Sequence, residues 1–338
     1  MQRPTIHDVA DAARLSLATV DRVLNNRGGV AEKSVRKVTK AVAETGYVRD
    51  IAAANLSRKR RYRFAFILPG IATGFVALLR AELAKEQIRL RPDKIELEII
   101  ETAPFDTPSQ LAALRSLSGD TTNGVAVFAA EAPEIHDEIA RLAHQGVHVL
   151  TLVSDLPRSQ RDAYVGPDNV AAGRTAAAFM GRFSAGRSGT ILMVTGSLAS
   201  RDHMERVMGF RMIMAERFPH LTLLPAAQGF DSAETVRKLI SDTLKTTPLA
   251  GIYAVGAGNR GLLEGLRDTS PRPVTIVHEL TDISRAALLS GEIDLVIDQN
   301  PVAEVRAAIS IMRDLSDNRD VTTARGAIPL NIFIRENI

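Results

Sequence analysis

Apolar positions recur at helical spacing through the first 46 residues: Ile6, Val9, Ala10 and Ala13, then Val20, Val23 and Leu24, then Val35, Val38 and Val42. Three short helices are predicted. Thr5 precedes the first, with Asp8 three residues on, and Ser16 precedes Leu17-Ala18-Thr19-Val20, so each hydroxyl is placed to accept from a free backbone N–H. Gly46 is placed to close the third helix. An Ala-rich stretch from Ile51 to Leu56 and the run Ser57-Arg58-Lys59-Arg60-Arg61 follow, with the composition of a linker.

From Tyr62 onward the pattern alternates between short apolar runs and amphipathic stretches. Strands are expected at Phe64–Leu68, Ile95–Ile100, Val125–Phe128 and Val147–Val153, with helices from about Phe75 and near Leu111 and Ile139. The alternation starts again with a helix at Val170–Phe183. Strands at Ile191–Val194, Leu221–Ala226, Ile252–Val255 and Val274–Val277 then enclose helices around Phe210 and Val236. Such an order predicts doubly wound parallel sheets, and so many βα units pack more economically as two lobes with a cleft between strand ends.

Charge sharpens this division. Residues 1–63 carry 14 Lys and Arg against 6 Asp and Glu, whereas the remainder carries 28 against 33. A basic segment with strong apolar periodicity suits a polyanion better than it suits a solvated tail. No apolar run approaches the roughly 18 residues of a membrane span, and Met1-Gln2-Arg3-Pro4-Thr5 does not open a signal peptide. A cytoplasmic location is expected, with no membrane partner. The absence of cysteine excludes disulfides and thiolate metal sites.

Thr5-Ile6-His7-Asp8-Val9-Ala10, Ser16 through Asn25, and Gly46-Tyr47 resemble the headpiece of the lactose-repressor (LacI/GalR) family of transcription regulators. The resemblance implies that the helix after Ser16 enters the DNA major groove. Leu17, Ala18 and Arg22 would then face base edges while Thr5, Ser16, Thr19 and Asn25 bond phosphates. Residue chemistry agrees, since an arginine can pair with guanine through two hydrogen bonds and Leu17 and Ala18 offer apolar contact to a thymine methyl. Two positions depart from the family pattern. Arg14 stands where the turn usually has glycine, and Asp21 puts a negative charge beside phosphates where serine is common. The resemblance continues through Ala52–Leu56, which matches a hinge helix whose leucine, here Leu56, is levered into the minor groove at the centre of a near-palindromic operator. An Ala-rich piece this short needs a partner surface to stay helical.

The remainder resembles the sugar-binding, periplasmic-binding-protein-like core of the same family. That resemblance implies a cleft aromatic at Phe75, an effector-binding arginine at Arg206, and polar ligand contacts at Glu279 and Gln299 just beyond strands. Asp155 is a candidate hydroxyl acceptor and Phe230 a second apolar face. Gly256-Ala257-Gly258-Asn259-Arg260-Gly261 is a G-x-G-x-x-G between a strand and a helix, with Glu279 at the end of the next strand. A NAD-dependent oxidoreductase is therefore the second reading. Against it, the unit lies late in the chain and no catalytic constellation accompanies it; a glycine-rich turn equally lets a ligand approach backbone, with Asn259 bonding a hydroxyl. Gly196-Ser197 lacks the second glycine of a nucleophile elbow, and Gly146 at a helix–strand junction separates His144 from His148.

These readings converge on an α/β protein that is not an enzyme and needs no cofactor or metal. A small all-α helix-turn-helix headpiece (1–46) and a hinge (47–62) precede a two-lobed, doubly wound parallel-sheet sensor of the type I periplasmic-binding-protein kind (63–338). The expected partners are a near-palindromic DNA operator, a sugar-like effector (a sugar, polyol or sugar acid) and a second copy of the chain, because one headpiece reads only a few base pairs.

Overall fold

The computed structural model describes residues 4–24, 29–45, 61–70, 74–184 and 188–338. Gly46, Asn25 and the hinge segment with Leu56 lie outside the described residues. The chain divides into two compact units, one holding the first 61 residues and the other nearly all of 62–338.

The first unit contains α1 (Ile6–Ala13), α2 (Leu17–Leu24) and α3 (Glu32–Thr45). Their apolar faces meet in one small core of Val9, Ala10, Ala13, Val20, Val38 and Ala41. Thr5 and Asp8 cap α1 reciprocally: Asp8 N donates to Thr5 Oγ1 at 3.4 Å and Thr5 N donates to Asp8 Oδ2 at 2.6 Å. The Thr5 N–H and the Thr5 hydroxyl, which donates at 2.8 Å, both bond the Asp8 carboxylate and hold it below its ordinary range. Ser16 caps α2, its hydroxyl accepting from Thr19 N at 3.2 Å. Between the two helices Arg14 adopts a left-handed backbone with φ 52 and ψ 48, the conformation for which a glycine is favoured.

The second unit builds two lobes. In the N-lobe β1 (Tyr62–Pro69), α4 (Gly74–Leu90), β2 (Ile95–Thr102), α5 (Thr107–Arg115), β3 (Gly124–Val127), α6 (Pro133–His144), β4 (His148–Leu152) and β5 (Ala163–Val165) form a parallel sheet of order β2-β1-β3-β4-β5. Side chains of β1 alternate between its faces: Tyr62, Phe64, Phe66 and Leu68 pack on one side, Ala65 and Ile67 on the other. Both faces are covered, which is why the strands read as continuous apolar runs.

The C-lobe continues with α7 (Asn169–Phe183), β6 (Gly189–Thr195), α8 (Arg201–Arg217), β7 (Leu221–Leu223), β8 (Ala227–Gln228), α9 (Ala233–Thr246), β9 (Leu249–Ala254), α10 (Asn259–Gly265), β10 (Val274–His278), α11 (Asp282–Ser290) and β11 (Leu295–Asp298). The chain then crosses back, because α12 (Pro301–Ser316) buries Val305, Ala308 and Met312 in the N-lobe core. It returns once more to add β12 (Asn331–Phe333), antiparallel to β11. The C-lobe sheet runs β12-β11-β10-β9-β6-β7, with β8 also paired to β6. Gly166 in the first crossing and Ala327 in the third form a parallel bridge, so these two connections brace one another.

In each sheet the strand order reverses beside the first strand, at β1/β3 and at β6/β9. Such switch points open a crevice at the carboxyl ends of the strands, where ligands of open α/β sheets bind.

Candidate functional site

On the first unit, packing decides which face of α2 is free. Val20 is fully buried and Val23 and Leu24 pack against the same core, which leaves Ser16, Leu17, Ala18 and Arg22 exposed and Thr19 half-buried. Leu17 is 41% exposed, an apolar side chain that the headpiece core does not use. The Arg22 guanidinium lies beside Gly29, where a β-carbon would come within 3.3 Å of it. Thr5, exposed at the start of α1, and the exposed residues of α2 thus present hydroxyl, apolar and guanidinium groups together.

On the second unit a cavity of about 750 Å³ lies between the lobes at the switch points, within the range typical of small-molecule sites. Phe75, Arg206, Asn259, Glu279 and Gln299 all line it. Asp155 and Phe230 do not. The Asp155 carboxylate accepts from Thr151 Oγ1 at 2.8 Å, from Leu156 N at 2.7 Å and from both Nε and Nη2 of Arg161, which saturates it within its own loop. Burial pushes that carboxyl up, but Arg161, Thr151 and the Leu156 N–H together outweigh burial and keep it below the usual range. Phe230 is 57% exposed; the wall position belongs to its neighbour Asp231.

Arg206 is the centre of the C-lobe wall and almost wholly buried. Its Nε donates to Asn169 Oδ1 at 2.9 Å, Nη1 to the Val255 carbonyl at 3.0 Å and Nη2 to Gln299 Oε1 at 2.6 Å. Three of its five N–H groups are committed, and two remain. Close helix packing sets its height above the sheet. A β-carbon at Gly173 would lie 1.9 Å from the Arg206 carbonyl oxygen, and one at Gly209 would lie 2.1 Å from that of Val170, so α7 and α8 meet backbone to backbone.

Gln299 passes the chain of bonds on, its Nε2 donating to Glu279 Oε1. Burial, with Asp298 adding to it, pushes the Glu279 carboxyl up to about 8. At neutral pH it is therefore mostly protonated and can donate as well as accept. Glu304, buried at the start of α12, is also raised well above the ordinary carboxylate range, chiefly by burial and then by Glu279, and neither of its oxygens has a partner among the described residues. Burial holds His278 neutral, and its Nε2 lies 2.8 Å from the Tyr253 hydroxyl. Asn259 Oδ1 and His278 Nδ1 are buried without a partner among the described residues, which marks them as available to a ligand or water.

Three residues that line the cavity beyond strand ends are left-handed without being glycine: Val153 (φ 67), Asp231 (φ 55) and Glu279 (φ 70). Each costs of order 1–3 kcal/mol and turns the chain sharply at the crevice. Across the cleft, Arg201 Nη1 of α8 donates to Glu131 Oε2 after β3 at 3.2 Å, while its Nε holds Glu205 at 2.8 Å. This ion pair ties the lobes together beside the cavity.

The G-x-G-x-x-G turn has other duties here than cradling phosphate. A β-carbon at Gly256 would lie 2.7 Å from Asp231 Oδ1, and that carboxylate already accepts from Ala257 N at 2.8 Å. An anion thus occupies the amide that a pyrophosphate would need. Gly258 has φ 103, and a β-carbon at Gly261 would lie 1.8 Å from the Ala233 carbonyl oxygen, so these glycines serve the turn and the packing of α10 on α9.

Asp202, His203, Asp231, His278 and Phe128 also line the cavity without having been singled out in the sequence. Phe128 follows β3 and His278 is the last residue of β10, so a place at the carboxyl end of a strand was the signal available for both. Asp231 follows β8, two residues long, and left no such mark.

Two lobes of 2-1-3-4-5 order joined by three crossings, with a lined crevice between them, define the ligand-binding fold of periplasmic binding proteins. The chain belongs to that family: residues 64–320 match the periplasmic binding protein domain. Residues 5–50 match the domain of bacterial regulatory proteins of the lacI family, so the chain carries the LacI-type headpiece ahead of the binding fold. It is similar to the HTH-type transcriptional regulator DegA of Bacillus subtilis, 30% identical over 218 residues that cover 63% of this chain and 61% of DegA. It is also similar to the lactose operon repressor of Escherichia coli, 32% identical over 100 residues, 30% of this chain and 26% of that one. The chain thus spans about three-fifths of the length of DegA and a quarter of the lactose repressor. Among solved structures, a glucose-galactose binding protein, GanP, from Geobacillus stearothermophilus shares the fold with a TM-score of 0.73 and 19% identity, over 82% of this chain and 99% of that one. A solute binding protein of an ABC transporter from Burkholderia graminis, in complex with D-arabinose, matches with a TM-score of 0.73 and 21% identity, over 82% and 96%.

Proposed function

We propose that the chain is a sequence-specific DNA-binding transcription regulator, a repressor, whose hold on a near-palindromic operator is controlled by a small sugar-like effector. Residues 1–46 are the reader, 47–62 the hinge, and 63–338 the sensor and dimerisation domain of a cytoplasmic homodimer without catalytic activity. The observation that carries this reading is the joining, in one chain, of a headpiece whose α2 displays Leu17, Ala18 and Arg22 with a cavity centred on Arg206. Thr5, Ser16 and Thr19 bond phosphates, and Asn25 and Leu56 join the interface when DNA is bound. Sugars are named in the descriptions of both structural neighbours, and the unpartnered polar atoms of Asn259 and His278 with the free N–H groups of Arg206 suit hydroxyls.

Control follows from differential affinity. An effector that binds the closed lobes more tightly than the open ones draws the population toward closure, and operator affinity follows if the reader arrangement depends on that state. The Arg201–Glu131 pair spans the two lobes at 3.2 Å, so a movement that separates them there must break it. Thermal unfolding of the full chain against a panel of sugars and polyols tests the reading, because a ligand that binds only folded protein raises the midpoint. A compound that stabilises the chain should also change operator affinity; stabilisation without any change in DNA binding contradicts regulation.

A further inference from the structure

Arg206 is tied to the hinge as well as to the cavity. The first crossing between the lobes, Gly166-Pro167-Asp168, joins the end of β5 to the start of α7. Asn169, the first residue of α7, is buried, and its amide bonds in two directions. Its Oδ1 accepts from Arg206 Nε at 2.9 Å, while its Nδ2 donates to the Val153 carbonyl at 3.1 Å and to the Tyr164 hydroxyl at 3.5 Å. Val153, just beyond β4, and Tyr164, in β5, belong to the N-lobe. One amide thus connects the central arginine of the C-lobe wall to the N-lobe across the hinge.

Tyr164 is wedged between two crossings. A β-carbon at Gly166, in the first, would lie 2.4 Å from its hydroxyl oxygen, and one at Gly326, in the third, would lie 1.8 Å from its carbonyl oxygen. The crossings are stitched together at the same place, Gly166 N donating to the Gly326 carbonyl at 3.0 Å and Ile328 N to the Gly166 carbonyl at 3.1 Å. The Tyr164 hydroxyl lies 2.9 Å from two carbonyls, that of Val153 in the N-lobe and that of Pro167 in the crossing. It has one proton to donate, so it serves one of them at a time. Asn169 Nδ2 shares the Val153 carbonyl with it. With Asn169 on Val153 the hydroxyl is released to Pro167; with Asn169 withdrawn it is needed on Val153, because an unbonded buried carbonyl is costly.

We propose that Tyr164 is the positioning residue that transmits effector binding at Arg206 to the crossings, its hydroxyl changing acceptor as Asn169 moves with the guanidinium. The inference rests on the reading of the cavity as the effector site and names the side chains that carry its signal. A ligand engaging the two uncommitted N–H groups of Arg206 acts on the guanidinium that Asn169 holds, and a shift of Asn169 alters two bonds to the N-lobe at once. The hydroxyl then fastens either to the N-lobe or to the crossing, a pair of discrete arrangements of the kind that coupling between distant sites requires.

Tyr164→Phe keeps the ring and removes the exchange of acceptors. Calorimetry on the full chain with glucose, galactose, ribose, arabinose and myo-inositol finds which of these binds, and affinity for a duplex selected from a random pool is then measured with and without that compound. In the variant the compound should bind within about threefold of its parent affinity, while the factor by which it changes DNA affinity shrinks toward one. A tyrosine that only supports the fold predicts a lower unfolding midpoint with that factor unchanged, which overturns the proposal. So does a loss of about tenfold or more in affinity for the compound, which would make Tyr164 part of the binding site.

A second measurement needs neither sugar nor DNA. Arg206 bonds Asn169, Val255 and Gln299 and reaches Tyr164 through Asn169. Urea unfolding of Tyr164→Phe, Arg206→Lys and the double variant should therefore depart from additivity by more than about twofold in the folding equilibrium constant, the double variant being the less affected. Additivity within that limit overturns the relay. Gln299→Met, which takes an acceptor from Arg206, replaces Arg206→Lys in the cycle should the lysine variant fail to fold. Silence from all five compounds contradicts the sugar-like effector, and the cycle by itself then judges the link between Arg206 and Tyr164.

Discussion

Glu279 offers a test of the cavity that needs no ligand. It is buried, bonded to Gln299, and pushed from an ordinary 4.5 to about 8 by burial and then by the nearby Asp298. A carboxyl raised on folding keeps a proton that the unfolded chain releases, so its contribution to stability is complete below pH 4.5. That contribution falls as pH rises and is exhausted above pH 8. At about 1.4 kcal/mol per pH unit, the span amounts to on the order of 4–5 kcal/mol. Glu279→Gln replaces the neutral acid with an amide of the same shape that can still accept from Gln299. Near pH 5 the variant should match the parent, and by pH 9 it should be the more stable. The Glu304 carboxyl is displaced in the same direction, so a decline of its own persists in the variant and the comparison rests on the difference between the two proteins. Urea unfolding followed by circular dichroism at pH 5, 7 and 9 reads the difference directly. Parallel curves for the two proteins would mean that Glu279 ionises normally and that the buried Arg206–Gln299–Glu279 chain is wrongly described.

Other perturbations report on other parts of the molecule. Arg14→Gly removes a side chain from a left-handed turn and should stabilise the headpiece by up to about 1 kcal/mol, read as a higher melting midpoint for its helices; an unchanged or lower midpoint contradicts strain at that position. Gly261→Ala drives a methyl toward the Ala233 carbonyl and should cost about 1–3 kcal/mol, whereas a phosphate-binding role for the turn predicts little change in stability. Arg22→Ala should cost about 1–3 kcal/mol for the specific site while barely changing affinity for random duplex, and an unaltered preference in competition against shuffled DNA removes Arg22 from base readout.

How much of this was legible beforehand differs between parts of the chain. The headpiece helices, with Thr5 and Ser16 as caps, follow from apolar spacing and local hydrogen bonding, both short-range effects that a linear pattern records. The first strands of each lobe were legible for a related reason, since strands covered on both faces read as unbroken apolar runs. The return of α12 to the N-lobe was harder to see, because its helix is amphipathic wherever it packs and only the contact of Val305 and Met312 with the β1 core reveals the destination. Asp155 illustrates the limit for site residues. Its position after a strand resembles that of Glu279, yet Arg161, six residues on, closes over one carboxylate while the other stays in the cavity wall. Asp231 passed unnoticed for the opposite reason, since a two-residue strand leaves almost no periodicity to read.

The central claim, a regulator that reads DNA as a symmetric pair, is tested most directly by selecting binding sites for the full-length chain from a pool of random duplex DNA. Two headpieces related by a two-fold axis should enrich a near-palindrome of two half-sites, with guanine recurring at the position that Arg22 meets, and binding to it should weaken steeply as salt is raised. Failure to enrich any sequence, or enrichment of a single half-site without its inverted partner, would contradict the account.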